Sequence, residues 1–336
     1  MFESKSGKPI KVKPWHKEAV KMNLSGFGAT DIAKRLLGRS TQESTVRDFL
    51  TKLNADSLVV KELFGDPVIG SEEGLDCPIN SLKVLFWDIE TSPALSAHWG
   101  LYDQRIAKGA TVRKAGLLSH AWSWGNGQVH SGVLTPEQAI ENDYEDLVYK
   151  AWSLLDNADV VVAHNGKNFD IKRINAEFIK IGLPPPSPYK VYDTLRVAKR
   201  HFKFERNDLD SLCEILGVPF RKVKHEGMPL WMKCIQGEQE SLDQMQEYNE
   251  GDIPTLRAVF YKLLPWDNQG INFSLLLNDE DSCPHCGADV SDVEDLTDKS
   301  VLTASRKYAH YRCSSCGANL RSKSPTISTS PKYSKV

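Results

Sequence analysis

Four acidic residues stand where regular segments end or begin, so their side chains can converge on one point. Asp88 and Glu90 are two residues apart at the end of the apolar run LKVLFWDIE. Alternate residues of a strand point to the same face, so these two carboxylates can reach one position. Asp170 begins a helix-like segment after DVVVAHN, and Asp252 follows Tyr248 by four residues on the last helix-like stretch. Residues four apart share one face of a helix, so we expect Tyr248 near the same position.

Carboxylates that are brought together repel one another, and a hard cation relieves that repulsion. Mg²⁺ and Mn²⁺ prefer oxygen ligands and leave positions for water and substrate phosphate. Two such ions about 4 Å apart can activate a water molecule and stabilise the leaving oxygen of a phosphodiester. We therefore predict that the four acids bind two Mg²⁺ or Mn²⁺ ions in a hydrolytic site.

Residues 81–266, which contain these acids, alternate between strand-like and helix-like patterns. The runs LLSHAWSW and QVHSGVL predict a hairpin around Gly125-Asn126-Gly127. YEDLVYKAWSLLDN and FDIKRINAEFIKIG have helical periodicity. A hairpin followed by alternation predicts the α/β class, with a mixed sheet flanked by helices.

Pro254 interrupts the pattern around the fourth acid. A proline removes a backbone donor and kinks a continuing helix. Gly251 and Pro254 flank Asp252, so we expect a kink that could displace this carboxylate from the other three.

Three motifs in this order resemble those of the DnaQ-like, or DEDD, 3′–5′ exonucleases, which have a ribonuclease H-like fold. DxE matches Asp88-Ile89-Glu90, Nx3[FY]D matches Asn165 to Asp170 in HNGKNFD, and YxxxD matches Tyr248 and Asp252 in YNEGD. The resemblance covers about residues 81–265. It implies the ribonuclease H-like fold and metal-dependent 3′–5′ exonuclease activity, and the tyrosine of the third motif points to the DEDDy subgroup.

Residues around the acids are expected to handle water and substrate. Tyrosine has a reference pKa of about 10, so Tyr248 is a poor base; it would orient the attacking water, or it is a packing aromatic. Asn165 would contact substrate or hold its loop. Asp193 is either a strand-end cap or a substrate-side acid. Trp99 is a stacking candidate for a single strand, and Phe169 is expected in the core.

Two CxxC pairs near the end of the chain have the spacing of a metal site. They are Cys283–Cys286 and Cys313–Cys316, separated by 26 residues and each followed by glycine. Four thiolates make a closed tetrahedral site for one structural Zn²⁺, and the segment resembles a zinc ribbon. A pair of redox dithiols is the alternative, but it lacks a thioredoxin-like context. The ribbon would contact nucleic acid or a protein partner, or only stabilise the fold.

The first 53 residues read as three short helices. ATDIAKRLLG followed by STQESTVRDFL resembles a helix-turn-helix unit, whose last helix would enter the DNA major groove. A helical protein-docking module is the alternative. The exposed candidates for DNA contact are Arg39, Gln42, Ser44, Thr45 and Arg47.

Domain boundaries follow from these segments. We predict a helix-turn-helix-like domain, an acidic linker, an exonuclease domain, a zinc ribbon and a disordered Ser/Pro/Lys-rich tail. They cover residues 1–53, 54–80, 81–266, 267–322 and 323–336 respectively.

Composition fits a soluble chain with no membrane association. Hydrophobic residues make up 40% of the 336 residues and charged residues 26%, which is an ordinary balance. No run approaches the roughly 20 apolar residues of a membrane span, and the N-terminus lacks a secretory pattern. We therefore expect an intracellular location: the cytoplasm or nucleoid, or the host cytoplasm for a viral protein. The net charge is −2, but basic ends could hold a polyanion.

The leading functional prediction is a metal-dependent 3′–5′ exonuclease that acts on nucleic acid with a free 3′ end. The helix-turn-helix resemblance favours DNA, with a replication or repair protein as a possible partner. One alternative is a DNA-binding regulatory or scaffold protein with a non-catalytic nuclease fold. Another is an endonuclease on the same fold.

Overall fold

The computed structural model describes residues 2–3, 9–10, 19, 33–34, 37, 44–46, 81–100, 105–218, 225–290, 293–303 and 306–326. The chain divides into two compact units, residues 1–75 and 76–336. The division falls within residues 54–80, which we predicted as a linker and which lie outside the described residues.

The first unit contains a short strand pair that the sequence did not predict. Phe2–Glu3 pairs antiparallel with Pro9–Ile10. Residues 33–34, 37 and 44–46 are helical, within the segments predicted as the second and third helices.

The predicted DNA contacts fall mostly beyond what the structure describes. Thr45 is helical and exposed. Arg39, Gln42 and Arg47 lie outside the described residues, so the helix-turn-helix and its contacts stay predictions.

A five-stranded mixed sheet forms the centre of the second unit. Its strands are β1 (Val84–Thr91), β2 (Leu117–Trp124), β3 (His130–Val133), β4 (Val160–Ala163) and β5 (Lys190–Asp193). The order across the sheet is β3-β2-β1-β4-β5. β2 pairs antiparallel with β1 and β3, whereas β4 pairs parallel with β1 and β5. The predicted hairpin and mixed sheet are confirmed.

Helices connect and flank these strands. They are α1 (Pro136–Glu141), α2 (Glu145–Asp156), α3 (Asp170–Lys180), α4 (Thr194–His201), α5 (Leu209–Ile215), α6 (Met228–Ile235) and α7 (Gln239–Leu263). α7 packs across β1, β2 and β3.

Among the described residues, no helix combines the length and apolar composition that crossing a membrane requires.

The sheet forms around the apolar side chains of its central strands, β1 and β4. Residues 84–87 and 160–163 are fully buried, and continuous apolar runs of this kind suit strands that are covered on both faces. Burying apolar side chains stabilises the fold by about 25 cal/mol per Å². These two strands therefore fix the sheet, and the acids at the end of β1 are placed by its core.

The expected kink at Pro254 does not displace Asp252. α7 continues as one helix from Gln239 to Leu263 with Pro254 inside it. The Thr255 hydroxyl donates a 2.8 Å hydrogen bond to the Gly251 carbonyl, so this turn is held by a side chain as well as by the helix. The predicted displacement was wrong, because tertiary packing on the sheet outweighs the local cost of the proline.

Several elements were absent from the sequence prediction. They are α1, α4, α6 and a two-stranded ribbon of Leu95–Ser96 with Thr111–Arg113. α4 follows β5 directly, and Asp193 caps it by accepting a hydrogen bond from the Arg196 backbone N–H. A strand that passes straight into a short basic helix has too little apolar periodicity to be recognised.

The cysteine-containing segment follows α7. It comprises α8 (Phe273–Leu277) and a three-stranded antiparallel sheet of β6 (Glu294–Leu302), β7 (Lys307–Arg312) and β8 (Asn319–Arg321). The described chain extends to residue 326, into the tail that we predicted to be disordered. There, Lys323 pairs with Glu280 at 2.9 Å. Residues 327–336 lie outside the described residues.

Candidate active site

The end of strand β1 presents two carboxylates on one face. Asp88 and Glu90 are half-buried, whereas Ile89 between them is 3% exposed and packs in the core. This alternation follows from the period of two in a strand. Asp88 and Glu90 therefore project to the same face, as predicted, because alternate side chains of β1 point in the same direction.

Helix α7 brings a third carboxylate to the same point. Asp252 is 2% exposed, and oxygens of Asp88, Glu90 and Asp252 all lie within 4.8 Å of one another. Three carboxylates at this spacing need a cation to offset their repulsion. Hard divalent ions are the cations that such oxygen ligands suit.

Asp170 lies beside this cluster at the first residue of α3. Its carboxylate is 3% exposed and accepts hydrogen bonds from its own backbone N–H and from that of Ile89. Burial raises the pKa of Asp170 to about 7, although the two backbone N–H groups oppose the rise. A nearby divalent cation favours the ionised form of a carboxyl group, so the surroundings of Asp170 fit a metal-binding role.

Asn249 is a site residue that the sequence analysis missed. It is fully buried, and its Nδ2 donates a 2.7 Å hydrogen bond to Asp88 Oδ2. The Ser119 hydroxyl on β2 donates to Asn249 Oδ1 at 3.0 Å. The position three residues before Asp252 was a usable signal, since residues three apart share a helix face. Asn249 thus connects the helix, the neighbouring strand and the first acid.

The HNGKNFD loop is held in place by Asp193. This carboxylate is 3% exposed and accepts from the backbone N–H groups of Asn165 and Lys167, both at 3.1 Å. Asn165 adopts a left-handed conformation with φ 63°. A side chain at Gly166 would place its Cβ 2.4 Å from that of Ala163, so the turn needs glycine. These bonds give Asp193 the capping role that was one of its two predicted alternatives.

Tyr248 precedes Asp252 by one helical turn. It is 6% exposed, and its ring packs edge-on against His225 at 4.8 Å and Trp231 at 6.1 Å. These contacts agree with the alternative prediction that Tyr248 is a packing aromatic. The predicted role of its hydroxyl in orienting water stays a prediction.

Two aromatic residues close in sequence to the acids are open to solvent. Phe169 is 45% exposed, so the expectation that it packs in the core was wrong. It lies immediately before the first residue of α3. Trp99 is fully exposed on the segment after β1, as a stacking residue would be.

A cleft of about 560 Å³ opens over the carboxylates, and we call it the acid cleft. Asp88, Glu90, Asp252 and Asn165 line it. Lys199 of α4 and residues 205–210 also line it, and there Arg206 pairs with Asp208 at 2.9 Å. The cleft is therefore rich in carboxylates, which suit divalent cations, and Lys199 adds an exposed positive charge.

Four cysteines form a second cluster, Cys283, Cys286, Cys313 and Cys316, whose sulfurs lie within 4.8 Å of one another. Two of the sulfur–sulfur distances are 3.9 and 3.8 Å. A tetrahedral ion with Zn–S bonds of about 2.3 Å requires roughly 3.8 Å between sulfurs. Gly287 and Gly317 adopt φ values of 72° and 76°, as the predicted knuckle turns require. His285 lies outside the cluster and contacts the Leu264 carbonyl at 3.2 Å.

The sheet and the acid cleft define the class of protein. The five-stranded mixed sheet flanked by helices is the ribonuclease H-like architecture expected from the motifs. Residues 115–264 match the family model described as RNase_H superfamily. The matched segment includes Asp170, Tyr248 and Asp252, whereas Asp88 and Glu90 lie outside it, before residue 115. Residues 115–264 are thus similar to the RNase H superfamily, and the RNase H-like fold with its acids supports a nuclease.

Among solved structures, the chain is similar to a family B DNA polymerase from the hyperthermophilic archaeon Pyrobaculum calidifontis. The TM-score is 0.43 and the sequence identity is 16%. The match covers 55% of this chain and 25% of the polymerase chain, so this chain spans about a quarter of that protein. No curated protein matches the chain.

Proposed function

We propose that this protein is a metal-dependent 3′–5′ exonuclease that hydrolyses phosphodiester bonds of nucleic acid, with DNA favoured. The observation that carries the proposal is the convergence of Asp88, Glu90 and Asp252 within 4.8 Å at the acid cleft. The direction of cleavage rests on the order of the three motifs. The preference for DNA rests on the helix-turn-helix resemblance.

Asp88, Glu90 and Asp252, together with Asp170, would hold Mg²⁺ or Mn²⁺. Bound there, divalent ions would lower the pKa of water and neutralise charge on the phosphoryl oxygens. Asn249 keeps Asp88 in one orientation through its 2.7 Å hydrogen bond. Tyr248 orients the attacking water from the turn of α7 before Asp252.

The substrate end enters the acid cleft as a single strand. Exposed Trp99 and Phe169 offer ring faces to unstacked bases, and such stacking does not depend on base identity. Lys199 also lines the acid cleft, where it would attract phosphates. Asn165 contacts the substrate or holds the loop, and Asp193 acts through that loop.

Accessory parts hold the enzyme on its substrate. The helix-turn-helix segment would contact DNA through Arg39, Gln42, Thr45 and Arg47. The four cysteines would bind one structural Zn²⁺, whose closed thiolate set leaves no open position for catalysis.

Labelled substrates test the polarity and the mode of cleavage. Linear single strands that carry a dye at either the 5′ or the 3′ end are incubated with Mg²⁺, beside a closed circular strand. The expected result is a ladder of shortening 5′-labelled products, early release of the 3′ label as a mononucleotide, and an intact circle. Cutting of the circle supports the endonuclease alternative, and release of the 5′ label first overturns the stated direction.

A further inference from the structure

A second groove lies on the other side of α4 from the acid cleft. Its volume is about 430 Å³, and we call it the basic groove. β5, α4 and the HNGKNFD loop line it, together with residues 269–272 before α8 and with Leu275 and Leu276 of α8. It is therefore a feature of the second unit, where the nuclease fold meets the cysteine-containing segment.

The exposed charged residues of this groove are all cations. Lys167, Lys190 and Arg196 line it and are exposed. Within the described part of the chain, their side chains form no ion pair. Three unpaired cations on one concave surface are positioned for an anionic ligand.

The two acids of the groove do not cancel this charge. Asp193 is 3% exposed and accepts three backbone hydrogen bonds, from Asn165, Lys167 and Arg196. Asp267 is 7% exposed and pairs with Arg200 at 3.1 Å. Both carboxylates are committed to the fold, so the surface that a ligand meets is cationic.

α4 joins the basic groove to the acid cleft. Leu195 and Lys199 face the acid cleft, whereas Arg196 and Arg200 face the basic groove. An α-helix is about 10 Å across with its side chains. A nucleic acid whose end lies at the acids can therefore reach both grooves with neighbouring phosphates.

We propose that the basic groove binds the phosphodiester backbone of the nucleic acid whose end occupies the acid cleft. This inference rests on the proposed function. A small anion would need convergent, largely desolvated donors, whereas these cations are exposed and spread over three segments. Such an arrangement suits a chain of phosphates, which is held mainly by electrostatic attraction and without base recognition.

Charge reversal in the groove tests the proposal directly. The double variant Lys190→Glu with Arg196→Glu is compared with Lys114→Glu with Lys172→Glu. The control residues are exposed, line neither groove and change the net charge equally. Binding of a fluorescent single strand of about 20 nucleotides is measured by anisotropy in EDTA across a salt series. Thermal melts confirm that both variants are folded.

The groove variant is expected to bind on the order of tenfold more weakly at 0.1 M salt. The slope of log K against log salt should shrink by about 1.4, because each lost single-strand phosphate contact contributes about 0.7. The control variant should keep the wild-type slope within about 0.3. If the groove variant also keeps the wild-type affinity and slope, the proposal is overturned.

A small substrate separates this proposal from the proposed function. The p-nitrophenyl ester of thymidine 5′-monophosphate reaches the acids but is too short to reach the basic groove. Wild type and groove variant should hydrolyse it equally, while the KM for the long strand rises in the variant and kcat is kept. An inactive wild type contradicts the nuclease proposal itself. If the groove variant loses activity on the small ester as strongly as on the long strand, the proposal that the basic groove is a separate binding site is overturned.

Discussion

At the scale of single residues, the hydrogen bond between Asn249 and Asp88 links a buried amide to the acids that we propose bind the metal ions. Residues that orient metal ligands typically change metal affinity or activity by about 10- to 100-fold when they are replaced. Asn249→Leu keeps the volume but removes the donor. We expect the Mn²⁺ concentration for half-maximal activity to rise about tenfold. Activity across a Mn²⁺ titration measures this shift.

Gln246→Leu is the matched control, because this amide lies on the same helix but donates to Ser131 at 2.9 Å. It should leave the Mn²⁺ dependence unchanged. Ser119→Ala should give a smaller shift than Asn249→Leu, since Ser119 acts only through Asn249. An unchanged Mn²⁺ dependence in Asn249→Leu would show that Asp88 needs no such support.

His120 should make the fold sensitive to acid. It lies on β2 with 1% exposure, and both ring nitrogens lack a hydrogen-bond partner among the described residues. Burial lowers the pKa of His120 from 6.5 to about 3, and Lys150 adds to the effect. The unfolded chain therefore binds a proton more readily below pH 6.5, so stability is lost as the pH falls towards 3.

His120→Phe removes this titration and keeps a ring against Trp122, 4.9 Å away. Urea unfolding at pH 7 and pH 5 should show a smaller loss of stability in the variant than in the wild type. His130→Phe, an exposed histidine on β3, is the control and should behave as wild type. If His120→Phe and the wild type lose equal stability between pH 7 and pH 5, His120 is not the source of the acid sensitivity.

Sequence alone located the acids because their types and spacing are visible along the chain. It missed Asn249, since a buried amide acquires its role only when α7 packs on β1 and β2. It placed Phe169 in the core because its apolar character favours burial, yet the residue stands before the first turn of α3. Side-chain exposure at an element boundary depends on the packing angle, which no local pattern encodes.

At the scale of elements, α7 shows how packing overrides a local rule. The sequence predicted the helix and its acid but also a disruptive proline. Proline in a helix interior costs about 3 kcal/mol relative to alanine. The helix is kept because its buried face, with Leu242, Met245, Leu256 and Phe260 among its members, packs on the sheet.

Pro254→Ala should therefore stabilise the protein by about 1–3 kcal/mol, because the backbone gains a donor for the Glu250 carbonyl. Chemical denaturation monitored by tryptophan fluorescence measures the change. Nuclease activity should be retained, since Asp252 is already held in place. A loss of stability would mean that the proline ring fills a space that alanine leaves empty.

α4 marks the limit of element prediction. The strands of the central sheet were predicted because apolar runs bounded by turns are local signals. The cation-rich sequence TLRVAKRH gives little apolar signal, although it forms the wall between both grooves. Its helix depends on the Asp193 cap and on Val197 and Ala198, which are buried.

At the scale of the whole molecule, the cysteine cluster is predicted to hold the C-terminal sheet together by one metal ion. A small three-stranded sheet has little core of its own, so such segments depend on a structural ion. Cys283→Ser with Cys316→Ser should reduce bound zinc from about one ion per chain to near zero. Atomic absorption of the purified protein measures this content.

Cys213→Ser with Cys234→Ser is the matched control, because both cysteines are buried but lie outside the cluster. It should keep the wild-type zinc content. Proteolysis should cut the first double variant within residues 280–326 and leave the nuclease core intact. Full zinc content in that variant would contradict the proposed ligand set.

Charge is organised locally in a chain whose net value is only −2. The sequence showed basic ends, but the cations of the basic groove come from separate segments that meet only in the fold. The linker predicted from the Gly-, Pro- and acid-rich composition of residues 54–80 stays a prediction. The fold decides which charges share a surface.

The central claim is that the converging acids perform metal-dependent hydrolysis of nucleic acid. The most direct measurement compares wild type with Asp252→Asn on a 5′-labelled single strand, with Mg²⁺ and with EDTA. The amide keeps the shape of the side chain but removes the charge that a metal ion needs. We predict progressive shortening only by the wild type with Mg²⁺. Degradation that persists in EDTA, or in Asp252→Asn at the wild-type rate, would contradict the account.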